Sequence, residues 1–384
     1  MRGNWLFKAL DRYAGIPLVW LLGWLRKALR HMRGGGVDAP VVTQVLAIKL
    51  SALGDSILLI PALRKIKQAF PGVRLTVVCT RINEVVFKGS PYIDSVVVID
   101  IGAMARNPLK IGTLFDKSNH YAIAFDFDQW TRLPPLLALA SGAAQIIGFK
   151  TKGQYRHFIY DHAVEHRQGR HEIDCFLDLV SAVFPALGIE KDDRKLEFPV
   201  TELSKKRAIH ILQDADIGSD AFVVFHPETP AHGSQRQWPP AYYIGLGKKI
   251  AAAYPEMKLL ITGTGQDIQS NQVIAESIGS MAKVLPAISL PDYAAVLTHA
   301  RGMVCGNTGV MHLAAALGIP LVALHGPTDP RKWGPVSDAA VCVWSVIPCS
   351  PCLYLGFEYG CSTNRCMQSI GIQEVYEALV RVLK

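Results

Sequence analysis

Short apolar, β-branched runs alternate with amphipathic stretches along most of this chain. Residues 45–50 (VLAIKL) predict a buried strand, 56–70 a helix and 75–79 the next strand, with further strands at 96–99 and 122–125. The pattern turns charged and helical between residues 191 and 220. A second series then opens at 222–225 (FVVF) and continues with strands at 259–262, 303–305 and 321–324, and helices near 242–253, 268–278, 291–299 and 310–317. Such alternation marks βα units on a parallel sheet. The two series predict an α/β protein of two doubly wound, Rossmann-like domains, residues 41–200 and 201–384, facing a cleft lined by the carboxyl ends of their strands.

Residues 1–40 break this rhythm. Residues 14–25 (AGIPLVWLLGWL) are uncharged, and Arg12, Arg26, Lys27 and Arg30 flank them. As a helix the run is roughly 18 Å long, short against a hydrocarbon core of about 30 Å. Trp5, Trp20 and Trp24 beside cations suit a membrane interface, and Pro17 predicts an interruption. Asp11 precedes the run and no small-x-small site follows it, which argues against a cleaved signal peptide. An interfacial helix is the favoured expectation; a span, or a helix packed on the body or a partner, are the alternatives. Residues 33–38 (RGGGVD) read as a flexible tether, so removing residues 1–36 is expected to release the protein from membranes while leaving transfer to a soluble acceptor largely intact; loss of folding would place the segment in the core.

Composition sharpens the division. Half of the residues are apolar and 19% are charged, which excludes a disordered chain. Residues 1–40 carry +5 of the formal net charge of +8, so the remaining 344 residues hold only +3. A body so nearly balanced is not a nucleic-acid-binding surface.

Three loops carry candidate chemistry. The first strand runs into Lys49-Leu50-Ser51-Ala52-Leu53-Gly54-Asp55 and a helix. Gly54 permits close approach of a ligand, and Asp55 either takes a proton from a substrate hydroxyl or caps the helix. After His226-Pro227-Glu228, Arg236 precedes Trp238-Pro239 and a helix, where a guanidinium beside free N–H groups can hold a phosphate; a solvated loop arginine is the alternative. The stretch Cys305-Gly306-Asn307-Thr308-Gly309-Val310-Met311-His312 opens a small-residue helix whose N-terminus is receptive to anions. No Gly-x-Gly-x-x-Gly follows the first strand, which argues against a dehydrogenase.

The LSALGD opening, the Arg-x-Trp-Pro element, the block GNTGVMHLAAALGIPLVALHGPTDP and a Cys-rich tail resemble glycosyltransferase family 9, the lipopolysaccharide heptosyltransferases and their relatives. The resemblance covers about residues 43–384. It implies a GT-B architecture and an inverting, metal-independent transfer from a nucleotide-diphosphate sugar, typically ADP-heptose, to a lipopolysaccharide core or similar lipid-linked glycan. It makes Asp55 the general base, with Ser51, Gly54 and Asp128 on the acceptor side. Arg236, Asn307, Thr308, Gly309 and His312 become donor-binding residues, with Asp267 near the ribose. It also implies an enzyme at the cytoplasmic face of the inner membrane. Two positions depart from the family pattern: Arg236 stands where Lys is usual, and Asn307 where Asp is common. A family member with another nucleotide-sugar donor, or a non-catalytic nucleotide-sugar-binding protein of the same fold, are the alternatives.

Two features remain open. Asp126-Phe127-Asp128 has the form of a manganese-binding Asp-x-Asp, but it ends a strand in the first domain, away from the expected donor phosphates, so an acceptor-side or structural role is favoured. Cys349, Cys352, Cys361 and Cys366 have spacing compatible with a structural zinc, with free thiols and disulfides as alternatives. No cofactor is required by the implied chemistry. Lys150, Lys152, Arg156 and Arg170 suggest an anionic partner or a solvated face.

Overall fold

The computed structural model describes residues 5–32, 42–107, 111–115, 120–228, 235–355 and 363–384. The chain divides into two compact units, Met1–Lys195 and Leu196–Lys384. In the first, strands β1 (Gln44–Ile48), β2 (Arg74–Thr80), β3 (Ser95–Ile99), β4 (Ile123–Asp126), β5 (Gln145–Lys150) and β6 (His162–Glu165) form one sheet in the order β3-β2-β1-β4-β5-β6. In the second, β7 (Phe222–His226), β8 (Lys258–Ile261), β9 (Ala282–Val284), β10 (Gly302–Gly306), β11 (Leu321–His325) and β12 (Ala340–Trp344) lie in the order β12-β11-β10-β7-β8-β9. Every strand pair is parallel. Each unit is thus doubly wound. Chain direction across the sheet reverses between β1 and β4 in one and between β7 and β10 in the other, and ligands of such sheets bind at these switch points.

Of the four strands that the pattern of apolar residues missed, β12 (AVCVW) is itself apolar, and the other three have physical reasons to be quiet. β6 (HAVE) and β9 (AKV) are sheet edges, which tolerate polar and charged residues because one side lacks a neighbour. β5 contains Gly148, which weakens the strand signal. A β-carbon there would fall 2.4 Å from the Tyr160 ring, so the glycine makes room for that buried side chain.

The N-terminal segment forms two helices, α1 (Trp5–Tyr13) and α2 (Gly15–Met32), broken at Ala14. Pro17 falls in the first turn of α2, where a missing N–H costs little. The helix runs past the apolar stretch because its last turns find partners on the body. Arg26 donates to the Ala143 and Ala144 carbonyls and, at 3.0 Å, to Asp161, and Arg30 donates to Asp161 and to the Ala144 carbonyl. Asp11 accepts from the Arg132 backbone N–H at 2.8 Å and from its guanidinium at 2.6 Å. Val19 is fully buried in the same core as Leu46, Ile48, Ile159 and Tyr160. The segment is therefore packed on the first unit, and the expectation that it can be removed without cost gives way to one of lost stability. The proposed tether, residues 33–38, lies outside the described residues.

Gly23 is the closest point of this docking: a β-carbon there would lie 2.4 Å from the Phe158 carbonyl oxygen. Gly23→Leu is expected to push α2 off the body, at about 1–3 kcal/mol. Hydrogen exchange should quicken along α2 but not at residues 49–55. Unchanged protection of α2 would show that the helix is not held there.

Candidate active site

The first loop stands at the β1/β4 switch point and is clamped from both sides. Helix α3 (Leu53–Ala69) places Asp55 in its first turn, and the N-cap residue, Ala52, makes no side-chain cap bond. Asp55 meets the ammonium of Lys49 at 3.4 Å. Lys49 is fully buried and also donates to the Phe127 carbonyl at 3.2 Å, Asp128 at 3.3 Å and Gln129 at 3.1 Å. The other Asp128 oxygen accepts from the Leu50 N–H at 2.8 Å. From the β2 side, Thr80 donates its hydroxyl to the Leu50 carbonyl, and the Asn83 amide donates to the Lys49 carbonyl and to Ser56. A carboxylate is thereby held beside a buried cation on a stiff loop. Ser51 is partly exposed at the loop, whereas Gly54 and Asp128 are buried.

Behind Lys49 the polar network continues. The Gln129 amide donates to Glu172 at 2.7 Å, and His166 Nε2 lies 3.0 and 3.1 Å from the two Glu172 oxygens. His166, Glu172 and Cys175 form a buried group whose ligand-type atoms lie within 4.8 Å of one another.

The second cluster stands at the β7/β10 switch point. Trp238 is buried between Tyr242 and Tyr243 and donates its indole N–H to the Ile370 carbonyl at 3.0 Å, which fixes the chain two residues after Arg236. Arg236 donates at 3.0 Å to the Asn307 carbonyl, at the end of β10. The helix Gly309–Ala316 starts there, and Thr308 at its N-cap makes no side-chain cap bond. The Thr308 hydroxyl is buried with no hydrogen-bond partner among the described residues. A guanidinium, the start of a helix and a buried hydroxyl without a partner thus lie along adjoining residues, a combination able to hold a phosphate. The Asn307 amide turns inward, donating to Thr328 at 3.1 Å and lying 3.3 Å from His325 Nδ1. His312 is buried in the same helix.

On the neighbouring strands, Asp267 closes its own turn by accepting from the Thr264 N–H and hydroxyl at 2.8 and 2.5 Å. Glu228 faces this turn and accepts from Ser270 at 2.9 Å. Burial, and then the charge of Asp267, push the Glu228 carboxyl above its usual range.

The family model of glycosyltransferase family 9 (heptosyltransferase) matches residues 132–362, more than half of the chain. The chain belongs to glycosyltransferase family 9. Among curated family 9 proteins, lipopolysaccharide heptosyltransferase 1 of Pseudomonas aeruginosa is 26% identical over 323 residues, 81% of this chain and 86% of that protein. The family 9 glycosyl transferase from Veillonella parvula superposes with a TM-score of 0.76 at 18% identity, over 91% of this chain and 98% of that one. Heptosyltransferase WaaC of E. coli, solved with ADP, gives 0.66 at 19% identity, over 88% and 100%. The fold is GT-B. A more distant neighbour, TibC of enterotoxigenic E. coli, is an iron-containing dodecamer with a TM-score of 0.57 at 12% identity, over 88% of this chain and 76% of that one.

Within this family 9 chain, the structure joins Arg236 to Asn307 and sets Thr308 and Gly309 beside them, while Asp267 sits two strands away from β10 on the same sheet edge. Three of the basic residues read as facing an anionic partner or solvent have acidic partners within the first unit. Arg156 is fully buried against Asp126; burial opposes its charge, but the carboxylate outweighs this and holds the guanidinium protonated. Arg170 pairs with Asp178 and Lys150 with Glu165. Asp126 also accepts from Tyr160 at 2.6 Å, so the Asp-x-Asp element is interior, with Asp128 bracing the loop that carries Asp55.

The described cysteines are free thiols. Cys349 and Cys352 are exposed and Cys366 is buried, while Cys361 lies outside the described residues. Among the described residues none of these cysteines belongs to a metal-type group of three. The Cys352 N–H donates to the Pro327 carbonyl, and a β-carbon on Gly326 would come within 3.1 Å of Cys366 Sγ, so the tail braces the turn that follows His325.

Sequence reasoning missed Lys49, Gln129, Asn83 and Glu172. Lys49 had a signal, since an ammonium in an otherwise apolar strand must find carboxylates. His226, at the end of β7, carries a pH prediction. Burial pushes its imidazole down to about 4, and Nδ1 sits 2.9 Å from the Thr262 hydroxyl. Unfolded histidine titrates near 6.5, so between these values the unfolded chain binds more protons. Stability is then full above about pH 6.5 and falls on acidification, by about 2 kcal/mol at pH 5. Urea midpoints at pH 7 and 5 should separate less in His226→Gln than in wild type; equal separations would remove this histidine as the cause.

Proposed function

We propose that this enzyme moves heptose from ADP-heptose to a lipid-linked glycan of the lipopolysaccharide-core type, with inversion and without a catalytic metal, at the cytoplasmic face of the inner membrane. The observation that carries the reading is the Arg236–Asn307 contact beside the open helix start at Thr308. It is a diphosphate receptor in a chain whose other unit holds a braced carboxylate.

In this scheme Asp55 accepts the proton of an acceptor hydroxyl as that oxygen attacks the anomeric carbon from the face opposite the diphosphate. The new carbon–oxygen bond forms, the bond to the diphosphate breaks, and ADP departs with the bonding pair. Arg236 and the first N–H groups of the helix Gly309–Ala316 stabilise the charge that develops on it. Lys49 holds the carboxylate in place beside a fixed positive charge. No step uses a metal, and a structural zinc at Cys349, Cys352, Cys361 and Cys366 would serve the tail alone.

The test is ADP release from ADP-heptose with a lipid A–inner-core acceptor, in buffer with and without chelator, alongside UDP- and GDP-sugars. Acceptor-dependent release from ADP-heptose alone, undiminished by chelator, is expected. Turnover only with another donor would reassign the sugar. Activity lost to chelator and restored by manganese would overturn the metal-free scheme, and no turnover with any donor would favour a binding protein.

A further inference from the structure

The two faces of α2 do different work. Its inward face, Val19, Gly23, Arg26 and Arg30, follows the spacing of one helix side and is taken up by the first unit. Its outward face presents Leu18, Trp20, Leu21, Trp24, Leu25 and Met32, all exposed, with Trp24 at 61% and Met32 at 72%. Soluble surfaces rarely carry so many large apolar side chains side by side.

We propose that this outward face is a docking surface for an anionic lipid bilayer, fixed to the first unit so that the catalytic loop is held in a set orientation to the membrane. The purpose of the device rests on the lipid-linked acceptor proposed above; the binding itself does not. Three observations favour lipid over protein. At about 100° per residue the exposed row spans on the order of 160° of the helix, broader than the narrow seam through which two helices pair. The row includes two tryptophans, whose rings suit the headgroup–acyl boundary. Finally, the flank is cationic: Arg12 and Lys27 are exposed. No helix among the described residues is long and apolar enough to cross a membrane, which fits a helix lying in the interface.

Flotation of the full chain with phosphatidylglycerol–phosphatidylethanolamine vesicles, and with phosphatidylcholine vesicles, tests this without donor or acceptor. Wild type is expected to float with the anionic vesicles, and less so at high salt. Trp20→Ser/Trp24→Ser should reduce partition on the order of tenfold or more while keeping the wild-type melting midpoint. Brominated lipids should quench wild-type tryptophan fluorescence, a readout that stands if the double variant fails to fold. Absence of both flotation and quenching at low salt would overturn the proposal. So would a lipid-free dimer that the two substitutions dissolve, since the face would then belong to a second copy. Neither result touches the transfer reading, and failure of ADP-heptose as donor leaves the flotation result standing.

Discussion

Asp55→Ala is expected to lower sugar transfer by about two to four orders of magnitude, the range that a positioned base supplies, while leaving donor affinity unchanged. The geometry separates these effects. Asp55 belongs to the first unit, and the diphosphate receptor proposed above comprises Arg236, Asn307 and Thr308 of the second. The fold should survive, because Lys49 keeps Asp128, Gln129 and the Phe127 carbonyl when Asp55 is gone. Asp55→Asn, which preserves shape and removes the base, should behave like the alanine variant. Steady-state rates with isothermal titration of donor measure both quantities, and undiminished turnover in either variant would remove Asp55 from its role.

Arg236→Ala should cost about 10²- to 10³-fold in transfer, the loss typical of removing one preorganised group from developing charge, and should also weaken ADP binding. Arg236→Lys is expected to recover only part. An ammonium restores charge without the planar fork that lets one guanidinium hold the Asn307 carbonyl and a phosphate together. Full recovery with Lys would mean that charge alone matters there. A wild-type rate in the alanine variant would return Arg236 to the status of a solvated loop residue.

The architecture was legible because buried parallel strands write themselves as apolar runs, and the strands flanking both switch points are of that kind. Edge strands such as β6 and β9 carry polar residues and are quiet for that reason. The chemical loops were legible as motifs, but their support was not. Asn83 reaches the Asp55 loop from 34 residues along the chain, and Glu172 supports it through Gln129, 43 residues before Glu172, by contacts that only the fold creates. Arg156 shows the opposite failure, a charged residue that looks solvated in sequence and is interior because Asp126 awaits it. The N-terminal segment was half legible. Its outward row of Trp and Leu is visible in sequence, whereas its inward face depended on Asp161 and Arg132, more than a hundred residues away.

The most direct test of the central claim is the anomeric configuration of the product, read by NMR after transfer from ADP-heptose to the lipid-core acceptor. Attack by an Asp55-activated hydroxyl opposite the leaving ADP predicts that the new linkage has the configuration inverse to the donor's. A product that retains the donor's configuration would contradict single-displacement transfer and, with it, the role given to Asp55.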